Sequence, residues 1–381
     1  MRIIYIIDTL ASKGGAERII SDKMNYLAAH DNYDVFVITC FQFPETTPNC
    51  YYLSDKVKQI NLSIPSHLQY RYNYPIRLIE KWEYYRQLRR KVSENINSIN
   101  PDIIIGVGYA LADIVCRIKC RAAKIIESHE ARPYTMSSVQ YKQISLLSKV
   151  YLIIYRARYL NIIEKHADVV VTLTKEDAKQ WKKAKQVEII PNFSCMPITM
   201  QSNCEVKRVI AVGRLEWQKG YDRLLDIWAL VTKEHQDWRL DIYGEGTLET
   251  ELRNKIQESG LCNVSIHPYT QHISQEYAQS SICVLTSRYE GFSLVLLEAM
   301  RHGVPCISFN CPFGPEDLID DKKCGYIVEN GNTSLFANRL NELMKNANIR
   351  KSFSKAAIEK AKLYNKDTIM QQWETLFQTL N

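Results

Sequence analysis

No apolar run in this chain of 381 residues approaches the length of a membrane span. The opening stretch Met1-Arg2-Ile3-Ile4-Tyr5-Ile6-Ile7 stops at Asp8. That is too short for the apolar centre of a secretion signal and is expected to be a first strand. Cys-x-x-Cys pairs are missing although the chain has 11 cysteines. Cys116 and Cys120 sit one helical turn apart, but no further His or Cys completes a zinc site. Scattered free thiols in a reducing compartment are the expectation. Gly-x-Gly-x-x-Gly occurs nowhere, which disfavours a nicotinamide oxidoreductase. Low-complexity segments are also absent, and no internal repeat appears beyond a similarity between two halves.

What is present describes a globular protein, 46% apolar and 24% charged, long enough for two domains with separate cores. The net charge of +7 is unevenly placed: residues 1–190 hold 28 Lys+Arg against 19 Asp+Glu, whereas residues 191–381 hold 21 against 23. Seven of those basic residues fall between Arg71 and Lys91, among Tyr70, Tyr72, Tyr74, Trp82, Tyr84 and Tyr85. A second stretch sets Lys142, Lys149, Arg156 and Arg158 among Leu146, Leu147, Tyr151, Leu152, Ile153, Ile154 and Tyr155. Such mixtures suit a helix lying on an anionic membrane, and equally a solvated helix face over an ordinary core. No recognition motif accompanies the charge, so nucleic acid is not an expected partner.

Short β-rich runs at 2–8, 34–40, 102–106, 124–126 and 168–173 alternate with helical stretches such as 16–30 and 75–97. A second series follows at 208–212, 238–243, 264–267, 282–286, 305–309 and 325–328, with helices at 220–235, 246–259 and 335–346. The pattern predicts an α/β protein of two doubly wound, parallel-sheet, Rossmann-like domains facing across a cleft. Their limits are 1–190 and 205–367, with a proline-marked linker at 191–204. A final helix at 368–381 carries Ile369, Trp373, Leu376 and Phe377 on one face and is expected to pack back on the first domain.

The most informative block is Glu290-Gly291-Phe292-Ser293-Leu294-Val295-Leu296-Leu297-Glu298. It sets one carboxylate on a loop after a buried strand and a second one turn into a helix. The amides at the helix start can hold a phosphate, and Glu298 leans back toward the same crevice. That arrangement suits a nucleotide-sugar, with the alternative of a surface loop and an ordinary amphipathic helix. Opposite it in the predicted sheet, Gly213-Arg214 ends a strand and Lys219-Gly220 opens a helix. Two cations there would offset a diphosphate leaving group without a metal. Asp-x-Asp, the metal-carrying element of other nucleotide-sugar enzymes, does not occur. Gly244, in Tyr243-Gly244-Glu245-Gly246, allows close approach of a ligand. In the first domain, Gly14 and Gly15 open a helix ahead of Glu17 as an anion seat or a bare tight turn, and His129 ends a strand. A lone His is more often structural than catalytic, but at a strand's carboxyl end in a cleft a functional role is favoured.

In order and spacing these elements resemble the retaining GT-B glycosyltransferases of the large bacterial family 4 type, which assemble capsule, O-antigen and lipid-linked glycans. Gly303-Val304-Pro305, Gly314-Pro315-Glu316 and Gly325-Tyr326-Ile327-Val328 continue the resemblance. It implies that Arg214, Lys219, Gly244 and Leu294 line the donor site and that Glu298 takes the ribose hydroxyls. Glu290, with the amides of Gly291, Phe292 and Ser293, would position the transferred sugar. Gly14, Gly15 and Glu17 would line the acceptor side, with His129 and Glu290 at the reacting centre. The implied activity is metal- and cofactor-independent transfer of a hexose or N-acetylhexosamine, with retention, from a UDP-sugar to a free or polyprenyl-diphosphate-linked glycan. The implied place is the cytoplasmic face of the membrane. Rival readings are a nucleotide-sugar epimerase, a phosphorylase-like enzyme and a catalytically inactive sugar-nucleotide- or glycan-binding scaffold.

Overall fold

The computed structural model describes residues 1–71, 76–108, 111–129, 131–132 and 146–380. Tyr72, Tyr74, Pro75 and Lys142 lie outside the described residues, as do the side chains of Tyr70, Leu146, Leu147, Lys149, Tyr151, Leu152, Ile153, Tyr155 and Arg156. The chain forms two units, one of Met1–Ile190 together with the segment from Met370 on, the other of Pro191–Ile369.

Within the first unit the run Ile3–Ile7 is apolar at every position and buried at every position, as a central parallel strand covered on both faces requires. It belongs to β1 (Arg2–Ile7), followed by β2 (Asp34–Thr39), β3 (Lys58–Asn61), β4 (Ile103–Val107), β5 (Ala123–Ser128), β6 (Val169–Thr172) and β7 (Val187–Ile189). All pairings are parallel, in the order β3-β2-β1-β4-β5-β6-β7. The two edge strands, β3 and β7, escape a reading by apolar runs because they are short and broken by polar residues, as exposed edges tend to be. Helix Gly15–Ala28 buries Ile19, Ile20, Met24 and Leu27 against this sheet's unit, and Ile76–Ile99 buries Leu88, Val92 and Ile96. The segment from Met370 on belongs to the same core: Trp373 and Phe377 are buried, with Phe377 edge-on to Tyr33 at 6.4 Å.

The second unit holds β8 (Arg208–Val212), β9 (Arg239–Tyr243), β10 (Val264–His267), β11 (Ile282–Leu285), β12 (Cys306–Asn310) and β13 (Gly325–Glu329), all parallel, in the order β10-β9-β8-β11-β12-β13. The chain runs outward from β8 in one direction and returns to build outward from β11 in the other. The loops after β8 and β11 therefore flank the point where strand order reverses, where ligands enter doubly wound sheets. Helix Ala347–Ala361 was not expected from sequence; it starts immediately after helix Thr333–Lys345, and Asn346 closes one helix and caps the next. Residues 191–204 contain no regular element and are strapped to this unit. Arg301 donates to Ser194 Oγ and the Met196 carbonyl, both at 3.0 Å, and Ser202 Oγ donates to the Ser280 carbonyl at 2.5 Å.

Candidate active site

After β8 the chain passes Gly213 and Arg214 into a single tight turn, Trp217–Lys219, before helix Tyr221–Val231. Gly220 has φ 65°, and a Cβ there would collide with the Thr286 carbonyl. That close approach lets the loops after β8 and β11 bond extensively. Thr286 Oγ1 reaches the carbonyls of Lys219 and Gly220 at 3.2 and 3.0 Å. The Arg288 amide donates to the Gln218 carbonyl at 2.7 Å, and Gln218 Nε2 donates to the Tyr289 carbonyl at 3.0 Å. The Arg288 guanidinium donates to the Trp217 carbonyl at 2.6 Å, forks onto Asp222 at 2.9 and 2.6 Å, and lies over the Trp217 ring at 4.3 Å. Burial disfavours the Asp222 carboxylate, but Arg288 outweighs it and holds the group below its ordinary range.

These contacts set Lys219 Nζ 2.7 Å from Glu290 Oε1, an oxygen that also accepts from Ser287 Oγ at 2.6 Å. Glu290 is 6% exposed and Ser287 fully buried. Burial, and then the Glu290 charge, push the Tyr221 hydroxyl and the Cys311 thiol upward, so both stay protonated beside the carboxylate. Beyond Gly291 and the buried Phe292, Ser293 opens helix Leu294–Arg301 in the left-handed region, with φ 72° and ψ 64°. Its hydroxyl is buried without a hydrogen-bond partner, an arrangement that costs free energy and collects at ligand sites. One turn on, Glu298 accepts from the buried Tyr277 hydroxyl at 3.4 Å. Arg214 is exposed and reaches Gln218 Oε1 at 3.3 Å. Gly244 follows β9 so closely against β8 that a Cβ would sit on the Gly213 carbonyl oxygen.

The structure thus joins Lys219 directly to Glu290, ties Arg214 to them through Gln218, and places Gly244 against Gly213. Ser287, Arg288, Asp222 and Tyr277 were not singled out in the sequence. For Ser287 there was a signal, a hydroxyl three residues before a carboxylate.

The first unit holds a separate cluster. His129 follows β5 and brings Nε2 within 3.1 Å of Glu127 Oε1. Glu127 also receives Lys23 of helix Gly15–Ala28, and both are almost fully buried. Burial opposes the Glu127 charge, yet Lys23 and His129 outweigh it and hold its pKa at about 2. Burial likewise pulls Lys23 down, against the pull of Glu127. The ammonium lies 4.2 Å from the centre of the Trp373 ring. At the strand-order reversal between β1 and β4, a Cβ on Gly14 would meet the Glu17 carboxylate, so the chain's own anion already stands over that helix start. Burial, and then Glu17, raise Asp8 to about 6.

Among the described residues no group of three or more His, Cys, Asp or Glu is placed to hold a metal ion, and no helix is long and apolar enough to cross a membrane. All the cysteines are free thiols, most of them buried. Residues 200–360 match the family model "Glycosyl transferases group 1". The amylovoran biosynthesis glycosyltransferase AmsD of Erwinia amylovora is 29% identical over 98% of this chain and 99% of its own. The GalNAc-alpha-(1->4)-GalNAc-alpha-(1->3)-diNAcBac-PP-undecaprenol alpha-1,4-N-acetyl-D-galactosaminyltransferase of Campylobacter jejuni is 25% identical over 98% of this chain and 97% of its own. The crystal structure of Anabaena HepE in complex with UDP and glucose, 18% identical, shares the fold with a TM-score of 0.75 over 99% of both chains. Residues 200–360 thus form a glycosyl transferases group 1 domain, and with its two parallel sheets the chain is a glycosyltransferase of the GT-B fold.

Proposed function

We propose that the protein moves a hexose or N-acetylhexosamine from a UDP-sugar to a glycan on a polyprenyl diphosphate, with retention and without a metal, in polysaccharide assembly. The observation that carries this reading is the Lys219–Glu290 pair at the strand-order reversal, beside a helix start left open by Ser293. Lys219 and Arg214 take the diphosphate, the amides at Gly291, Phe292 and Ser293 add donors, and Glu298 takes the ribose hydroxyls. Glu290 holds the transferred sugar. The bond from the anomeric carbon to the β-phosphate oxygen breaks, and the nucleoside diphosphate leaves with the electron pair. The acceptor oxygen bonds to the same face of that carbon and passes its proton to the departing phosphate. Cations beside the leaving oxygen stabilise the charge that develops there.

In the first unit, Gly14, Gly15 and Glu17 serve the acceptor side, and His129 the reacting end. Ile76, Ile79 and Trp82 stand exposed beside Arg86, Arg89 and Arg90, and Ile154 beside Arg158; this supports a peripheral place on the anionic inner face of the membrane. The acceptor printed for the C. jejuni relative supports a lipid diphosphate.

Thermal unfolding with UDP, GDP, ADP or NAD, each with and without EDTA, tests the donor. A ligand at 100 times its Kd adds about 2.7 kcal/mol. UDP is expected to stabilise equally with EDTA; stabilisation lost to EDTA overturns the metal-free reading. A shift with NAD alone, or with none of the four, overturns the donor site.

A further inference from the structure

Lys219, the cation assigned to the donor diphosphate, is already engaged by the carboxylate assigned to the donor sugar. The bond is short, 2.7 Å, and Glu290 is nearly buried, so the pair is tight and little screened. A diphosphate arriving at the same ammonium brings negative charge against Glu290, and like charges so close oppose one another. Lys219 cannot give its full attraction to both. The carboxylate has a second anchor in Ser287, which donates to the same Oε1 from 2.6 Å and is part of its own loop. Tyr221 and Cys311, held protonated by burial and the nearby charge, offer no competing anion.

We propose that Glu290 is an internal stand-in for the phosphate: the nucleoside diphosphate binds in exchange for it, and the released carboxylate, kept by Ser287, turns to the sugar. This rests on the donor-site reading above and adds a coupling between its two halves. A complete donor supplies partners for both Lys219 and Glu290. The nucleoside diphosphate left after transfer supplies one only for Lys219 and leaves Glu290 with Ser287 alone, so the exchange favours donor over product.

Calorimetric titration of UDP, UDP-glucose and UDP-N-acetylglucosamine into the full chain tests the exchange through a sign. Glu290→Gln keeps the shape and removes the charge. It is expected to bind UDP at least fivefold more tightly than the parent, while the better-binding UDP-sugar loses its advantage over UDP and turnover falls. Glu290→Asp, which withdraws the carboxylate, is expected to shift UDP affinity the same way and serves if the glutamine variant does not fold. Ser287→Ala is expected to lower turnover without weakening UDP. A pair that only holds the loops together predicts weaker UDP binding in every variant; unchanged or weaker binding in Glu290→Gln, or in Glu290→Asp in its place, overturns the exchange. Lys219→Ala separates the two readings: if it does not weaken UDP at least tenfold, the donor site itself is misplaced.

Discussion

Lys23 is among the largest fully buried side chains of the molecule, facing a carboxylate 104 positions away. Removing one partner of such a pair leaves a buried charge uncompensated, at about 3–5 kcal/mol. Lys23→Met is expected to lose that much in urea unfolding, and Lys23→Met with Glu127→Leu to regain most of it. For Glu127 the folded pKa of about 2 lies below its ordinary value of 4.5. Its contribution is therefore present above about pH 4.5 and is lost as pH falls toward 2. Asp8 has the opposite sign. Its folded pKa of about 6 lies above 3.8, so its contribution is present below about pH 4 and is lost as pH rises through 6. Asp8→Asn is expected to raise Tm at pH 7 and change it little at pH 4. Glu290 and Lys219 could be read from sequence because each sits in a recognisable local pattern. Lys23 and Glu127 could not, since burial and long-range pairing leave no local trace.

Helix Leu294–Arg301 begins on a serine in a conformation that suits glycine. Ser293→Gly is expected to stabilise the protein by about 1 kcal/mol in chemical denaturation, while weakening the donor if the strained hydroxyl takes part. At helix Ala347–Ala361, Asn346 Oδ1 accepts from the amides of Asn348 and Ile349 at 3.0 and 3.1 Å. Asn346→Ala is expected to cost about 1 kcal/mol with donor binding unchanged. The central strands were legible because continuous apolar runs are required where both faces are covered, as in β1 and β11. The edge strands β3 and β7 and the helix after Asn346 were not, for they carry no such run. The bonding between the loops after β8 and β11 was equally hidden, because Arg288 and Asp222, at the start of helix Tyr221–Val231, meet only once strand order brings them together.

For the whole molecule, the charge asymmetry read from sequence falls on the first unit, where exposed Trp82 and its arginine neighbours stand. Replacing Arg86, Arg89 and Arg90 by glutamine is expected to weaken co-sedimentation with anionic vesicles severalfold at unchanged Tm; unchanged sedimentation would remove the membrane surface as a partner. The first unit also contains both early and late stretches of the chain, with Trp373 over Lys23. On the ribosome, therefore, this unit is drafted first and finished last. Until the segment after Met370 emerges, Lys23 lacks its Trp373 cover, and the nascent chain carries that gap through the synthesis of the second unit. Messages cut short before Trp373 would yield a chain with its second unit complete and its first unit unsealed, a substrate for proteases more than a partial enzyme.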